Sequence, residues 1–150
     1  MIYLGSDHAG FEAKEKLKKY LEIKKIEYED LGALRYNGGD DYPDYAFKVA
    51  KAVSRHKRSK GILICGTGAG LAIAANKVHG IRAAEAFDAY TAKMSREHND
   101  ANILALGARD LPIVKIIKIV DIWLNTPFSN EERHDGRIRK IMHFENSHHI

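Results

Sequence analysis

From Gly61 to Gly70 the chain reads Gly-Ile-Leu-Ile-Cys-Gly-Thr-Gly-Ala-Gly, an unbroken apolar stretch that runs straight into a thiol and three alternate glycines. An apolar run without alternation suits a strand buried on both faces. The alanine-rich Leu71-Ala-Ile-Ala-Ala-Asn76 that follows predicts a helix packed on the sheet. The glycines then fall at the carboxyl end of that strand. Alternate glycines let successive backbone N–H groups turn into one concavity, which suits an anion or a developing oxyanion. Cys65 stands at its rim.

The rest of the chain repeats the pattern. Strands are expected over 2–5, 26–31, 62–65, 81–86 and 103–107. Helices are expected over 12–25, from Pro43 through Val53, and over 71–78, 88–97 and 111–125, with an extra C-terminal helix over 130–145. Pro43 fits the first turn of its helix, where its missing N–H costs nothing. Strand–helix alternation implies a parallel sheet covered on both faces. The expected fold is therefore α/β, a three-layer αβα sandwich around a five-stranded, Rossmann-like parallel sheet, with residues 1–150 as a single domain. A hydrophobic content of 45% over 150 residues is enough for one full core. In open sheets of this kind the ligand sits outside the carboxyl ends of the strands. Those ends carry Asp7-His8, Cys65 with its glycine loop, Glu85 to Asp88, and Gly107 to Asp110.

Spacing removes two familiar readings of the loop. A nucleoside-triphosphate loop needs Lys followed by Ser or Thr after its last glycine, whereas Gly70 is followed by Leu71 and Ala72. A dinucleotide fingerprint starting at Gly66 needs a small residue at position 71, and only Glu85, placed about where a ribose-binding acid would fall, speaks for it. A loop that stabilises an oxyanion beside a nucleophile or base gives Cys65 a role. The net charge is +4, and the densest basic run, Ser54-Arg-His-Lys-Arg-Ser-Lys60, has no aromatics for base stacking. It reads as a solvated loop, and no nucleic-acid partner is expected. The chain shows no apolar stretch of membrane-spanning length and no signal-peptide layout at its start, so the expectation is a cytoplasmic protein without a membrane partner. One cysteine cannot form an internal disulfide. The eight histidines show no zinc-like spacing with it, His148-His149 sits at the terminus, and no metal or other cofactor is expected.

Each candidate residue has a plain alternative. Cys65 can simply pack, since free cysteine is among the most buried residue types, or act as base or nucleophile from its glycine-rich turn. In Ser6-Asp7-His8-Ala-Gly10, Ser6 or Asp7 can cap the following helix, and His8 can meet a phosphate or rest on the surface. His98 closes a helix, where the dipole favours it, and is also a natural acid/base beside the amide of Asn99. Arg133 and Arg137, four apart, share one helix face and can grip one phosphate or stay solvated.

Together these segments resemble the type B ribose-5-phosphate isomerase family, which includes the galactose-6-phosphate and allose-6-phosphate isomerases. The match covers nearly the whole chain: Ser-Asp-His-Ala-Gly at 6–10, Asp-Tyr-Pro at 41–43, Ile-Cys-Gly-Thr-Gly-Ala-Gly at 64–70, Ala-Ala-Asn-Lys at 74–77, Gly-Ile-Arg-Ala at 80–83, Ser-Arg-Glu-His-Asn-Asp-Ala-Asn at 95–102 and Arg-His at 133–134. The resemblance implies an aldose–ketose isomerase, free of cofactors, that interconverts ribose 5-phosphate and ribulose 5-phosphate through an enediolate. It implies that Cys65 takes the C2 proton and that the N–H groups of Gly66, Thr67, Gly68, Ala69 and Gly70 with the Thr67 hydroxyl steady the enediolate. His98 would open the furanose ring with help from Asp7 and Tyr42; His8, Arg133 and Arg137 would hold the phosphate; Asn99 and Arg109 would complete the site. The family forms homodimers or tetramers, and the resemblance brings His98, Asn99 and Arg109 into the site from the neighbouring subunit. Some relatives use a glutamate just after the glycine loop as base, whereas position 71 here is Leu. Two segments depart from the pattern: Glu131-Glu132, where small residues are common, puts two carboxylates beside Arg133 that would weaken its grip on phosphate, and Glu85 to Asp88 bears on the choice of sugar. A six-carbon sugar phosphate as substrate, and a non-catalytic sugar-phosphate-binding protein, are the alternative expectations.

Overall fold

The computed structural model describes residues 1–147; His148 and His149 lie outside them. In chain order the elements are β1 (Ile2–Ser6), α1 (Phe11–Ile23), β2 (Tyr28–Asp30), α2 (Tyr42–Arg55), β3 (Lys60–Cys65), α3 (Ala69–Ala75), β4 (Ala83–Glu85), α4 (Ala89–Asn99), β5 (Ile103–Gly107), α5 (Ile113–Asn125) and α6 (Glu132–Ser147). All pairings are parallel and the strand order is β2-β1-β3-β5-β4. The apolar strands β1, β3 and β5 fill the centre, while the three-residue β2 and β4 form edges that are only partly buried.

Period-two alternation sorts the core into two layers. Along β3, Ile62 and Ile64 face α1, α4 and α5, where they meet Leu17, Leu21, Ala92, Ile116 and Trp123. Leu63 and Cys65 face the other way, against Val49 and Val53 of α2 and Leu71 and Ala75 of α3. Each fully buried leucine or isoleucine contributes roughly 1.5–3 kcal/mol, so the helices on both faces are held by this one run. The expected αβα sandwich is the fold observed.

Two boundaries differ usefully from the sequence expectation. The α3 helix begins at Ala69, inside the glycine loop, because Gly68 takes a positive φ of 92° that turns the strand directly into the helix. The β4 strand is shorter than 81–86 because the Asn102 side chain, not a neighbouring strand, binds the Arg82 N–H at 2.8 Å. The α6 helix packs on α4, and its far end returns to the α3–β4 turn, where Glu145 accepts from the Gly80 N–H at 3.0 Å.

Position follows from topology. The chain leaves β1 toward β2 on one side and crosses to β3 on the other, so the strand order reverses between β1 and β3. That switch point leaves a crevice at the carboxyl ends of the two strands. Asp7 and His8 follow β1, and Cys65 ends β3.

Candidate active site

The crevice is real: Asp7, His8, Ala9, Tyr42, Cys65, Gly66, Thr67, Gly70 and Arg109 line a cavity of about 260 Å³. Larger cavities lie elsewhere, about 320 Å³ under the Val53–Lys60 turn, about 360 Å³ beneath the Leu31–Asn37 loop and about 330 Å³ between Ile81 and Ile141. None of these three is lined by the cysteine, so chemistry rather than size selects the switch-point cavity.

Cys65 sits at its wall, 5% exposed, and its sulfur accepts the Gly68 N–H at 3.1 Å. An N–H aimed at sulfur is a better partner for a thiolate than for a thiol. Cys65 packs against the α2–α3 layer and at the same time faces the cavity. Gly68 and Ala69 do not line the cavity, and the Gly68 N–H is already committed to sulfur. Gly66, exposed Thr67 and Gly70 do line it.

Arg109 follows β5, which pairs with β3; the Ala108 and Arg109 N–H groups bond Cys65 O and Gly66 O at 2.8 and 3.0 Å. This lays the guanidinium flat on the loop, where a Cβ on Gly66 would come within 2.9 Å of it. Arg109 is thus a member of the same chain's cavity, a correction to the expectation that it arrives from a neighbouring subunit. Its place is set by the β3–β5 register.

Asp7 is 6% exposed, and its Oδ1 accepts the Gly10 N–H at 3.1 Å just before α1, so it caps the turn while lining the cavity. His8 is held by a residue that sequence reasoning missed. Asp40 Oδ1 accepts the His8 backbone N–H at 2.9 Å and lies 2.8 Å from Nδ1. Burial works against the Asp40 carboxylate, but the bonds from His8 and the nearby Tyr45 hydroxyl dipole hold its pKa below the ordinary value. Glu85 to Asp88 take no part in the cavity, because β4 is the far edge strand beyond β5; Asp88 instead caps α4 through the Thr91 N–H at 2.7 Å.

The remaining predicted residues form a second cluster at the opposite end of the sheet. His98 and Asn99 close α4, whose chain then turns through Asn102 into the amino end of β5, where Asn102 O accepts from the Gly61 N–H. The His98 ring stacks on His134 of α6, with centroids 4.2 Å apart and planes within 8°. His134, also missed as a site residue, is 2% exposed, and neither ring nitrogen has a hydrogen-bond partner. Burial, then the charges of His98 and Arg133, hold its pKa below the usual histidine value. Arg133 and Arg137 sit exposed beside it, and the Arg133 Nε donates to Glu131 Oε2 at 2.8 Å. One chain therefore does not bring Cys65 and His98 together. Among the described residues no group of three His, Cys, Asp or Glu side chains could hold a metal ion, and no helix is long and apolar enough to cross a membrane.

A thiol under a backbone donor, a carboxylate, a histidine and an arginine around one switch-point crevice define a class: α/β proteins that bind a small anionic substrate and can move a proton on it. Residues 2–141 match the family model described as Ribose/Galactose Isomerase, and the chain belongs to that family. A protein of Mycobacterium tuberculosis named ribose-5-phosphate isomerase B is 40% identical over 147 residues, 98% of this chain and 91% of that one. The solved ribose-5-phosphate isomerase B of Clostridium thermocellum superposes with a TM-score of 0.94 at 47% identity, covering 99% of both chains. That of Mycoplasma genitalium, solved with bound ribulose-5-phosphate, gives 0.92 at 42% identity, covering 97% of this chain and 95% of that one.

Proposed function

We propose that this chain is an aldose–ketose isomerase that interconverts ribose 5-phosphate and ribulose 5-phosphate in the cytoplasm. The observation that carries the reading is Cys65: a thiol at the switch point, with an N–H on its sulfur and open access to the cavity. The proton moves from C2 to C1. Cys65 as thiolate takes it from C2 and returns it to C1, while the N–H groups of the cavity-lining Gly66, Thr67 and Gly70, the Thr67 hydroxyl and Arg109 face the enediolate oxygens. Asp7 and Tyr42 hold the sugar hydroxyls, and His8 takes one side of the phosphate.

His98 opens the furanose ring, and Asn99, Arg133 and Arg137 bind with it, from a second copy of the chain. Two features support that division. The two clusters lie at opposite ends of the sheet, and an apolar groove lined by Ile81, Ala83, Ala84 and Ile141 runs beside Asn99 along the exposed β4 edge, where a second copy would cover it. A homodimer thus builds two complete sites, whether or not dimers pair further.

The test is kcat/KM for ribose 5-phosphate, allose 6-phosphate and galactose 6-phosphate, with Cys65→Ala alongside. Ribose 5-phosphate should be preferred, and Cys65→Ala should lose a hundredfold or more of the rate, roughly the lower bound for removing a general base. Preference for either six-carbon substrate overturns the substrate, and retention of activity within about tenfold overturns the base.

A further inference from the structure

We propose that Asp40 is a positioning residue for the substrate's phosphate, holding His8 so that its ring meets the anion as an imidazolium donating from both nitrogens. The proposal rests on the reading above that His8 contacts the phosphate, and it concerns a residue outside the cavity wall.

The geometry is restrictive. A single oxygen of Asp40 binds both the backbone N–H and the ring Nδ1 of His8, and the carboxylate is 6% exposed. Asp40 is itself set by the turn that precedes α2, where its N–H bonds Asn37 O and Asn37 Oδ1 accepts from the Gly39 N–H. An ionised carboxylate can only accept, so Nδ1 must carry a hydrogen. Nε2 is then the one ring nitrogen left for a ligand.

That fixes what the ring can bind. In a neutral His8 with Nδ1 protonated, Nε2 presents a lone pair, and a phosphate oxygen presents lone pairs too; the two repel. Only the imidazolium donates on both sides, to Asp40 and to the phosphate. The other groups around the ring do not compete for Nδ1. Tyr36 and Phe11 form an apolar edge, with Tyr36 T-shaped on the imidazole at 6.5 Å, while Asp7, Tyr42, Cys65 and Arg109 line the cavity. Asp40 therefore supplies the counter-charge on one side of the ring and the phosphate on the other, a carboxylate–imidazolium–phosphate relay of fixed charges with no proton transfer in it.

Asp40→Asn tests this, because the amide keeps the shape and an acceptor but removes the charge. With ribose 5-phosphate, KM should rise about tenfold while kcat stays within about twofold, the pattern of a lost binding contact rather than of lost chemistry. In parallel, the 15N spectrum of the His8 ring saturated with inorganic phosphate should show both nitrogens protonated in the wild type and only one in Asp40→Asn. His8→Asn is the control for the underlying reading. If His8→Asn raises KM and Asp40→Asn does not, or if Asp40→Asn lowers kcat at constant KM, the role of Asp40 is overturned and His8 remains a phosphate ligand. If His8→Asn leaves KM unchanged, the phosphate reading of His8 fails and this proposal fails with it.

Discussion

Two inactive variants should restore each other if the active site is built from two chains. Cys65 ends β3 at the carboxyl end of the sheet, whereas His98 lies where α4 delivers the chain to the amino end of β5. The six residues of β3 alone separate those ends by roughly 17 Å at about 3.3 Å per residue, beyond the reach of either side chain. Cys65→Ala should therefore remove the base from its own chain's cavity, and His98→Asn should remove the ring-opening group from the other chain's. When the two variants are refolded together, random pairing makes about half of the dimers mixed. Within a two-fold dimer the contacts are reciprocal. A mixed dimer thus joins the intact Cys65 of one chain to the intact His98 of the other in one site and places both lesions in its second site. Half the sites of half the dimers are whole, so activity should return to about one quarter of wild type per chain. The assay is ribulose 5-phosphate formation from ribose 5-phosphate before and after joint refolding, with each variant refolded alone as control. A mixture no more active than the sum of its parents would refute the shared site.

Two further outcomes follow from charges in the structure. Arg133 is held by Glu131 on the surface, where solvent leaves an exposed pair of this kind weak; Glu131→Gln should free the arginine and lower KM for ribose 5-phosphate by no more than about fivefold. Arg133→Ala should raise KM about tenfold or more and erase the effect of Glu131→Gln; a Glu131→Gln effect that persists without Arg133 would show that the glutamate acts elsewhere. Lys60 has its pKa brought down from 10.5 to about 8 by burial and by the Arg96 charge, partly offset by Asp100. Near neutral pH both folded and unfolded states are protonated and the folded one bears the full penalty. Between about 8 and 10.5 the unfolded chain holds the extra proton, so this penalty fades as pH rises. Lys60→Met should therefore stabilise the protein near neutral pH by about 1 kcal/mol after allowing for solvent screening, or about 2–4 °C in Tm. The gain should vanish above pH 10.5, and no gain near neutral pH would contradict the linkage.

Much of the fold was legible because its signals are local. The apolar run at Ile62–Cys65 and the strand–helix alternation predict the buried parallel sheet, and Pro43 marks the first turn of α2. The glycines proved to be tied to site construction: Gly68 turns β3 into α3, and Gly66 lets Arg109 lie on the loop. What stayed hidden were partnerships across the fold. Asp40 is 32 residues from His8, and nothing in Gly-Gly-Asp-Asp-Tyr-Pro distinguishes it from an ordinary turn aspartate until the loop folds over β1. His134 stands out only in three dimensions, because its stack on His98 depends on how α6 crosses α4. The place of Arg109 beside Gly66 is hidden in the sequence because it depends on the long-range β3–β5 pairing.

The division of the site into two clusters, by contrast, follows from chain order once the sheet is known to be parallel. Every passage from strand to helix then lies at the carboxyl end, and every passage from helix to strand at the amino end. Ser6–Gly10, Cys65–Gly70 and Gly107–Arg109 are passages of the first kind, and they gather around the cavity. His98–Asn102 is a passage of the second kind, and α6 joins it there through His134. The side of the sheet on which a motif falls is thus decided by whether it follows a strand or a helix, independent of how strongly its residues suggest catalysis. On the proposed roles, the base follows a strand and its acid/base partner follows a helix, so one chain cannot close the site on itself without a long excursion of the backbone, and none intervenes here between α4 and β5. A second copy related by a two-fold axis would bring the amino end of one sheet to the carboxyl end of the other, and would do so twice in the same contact.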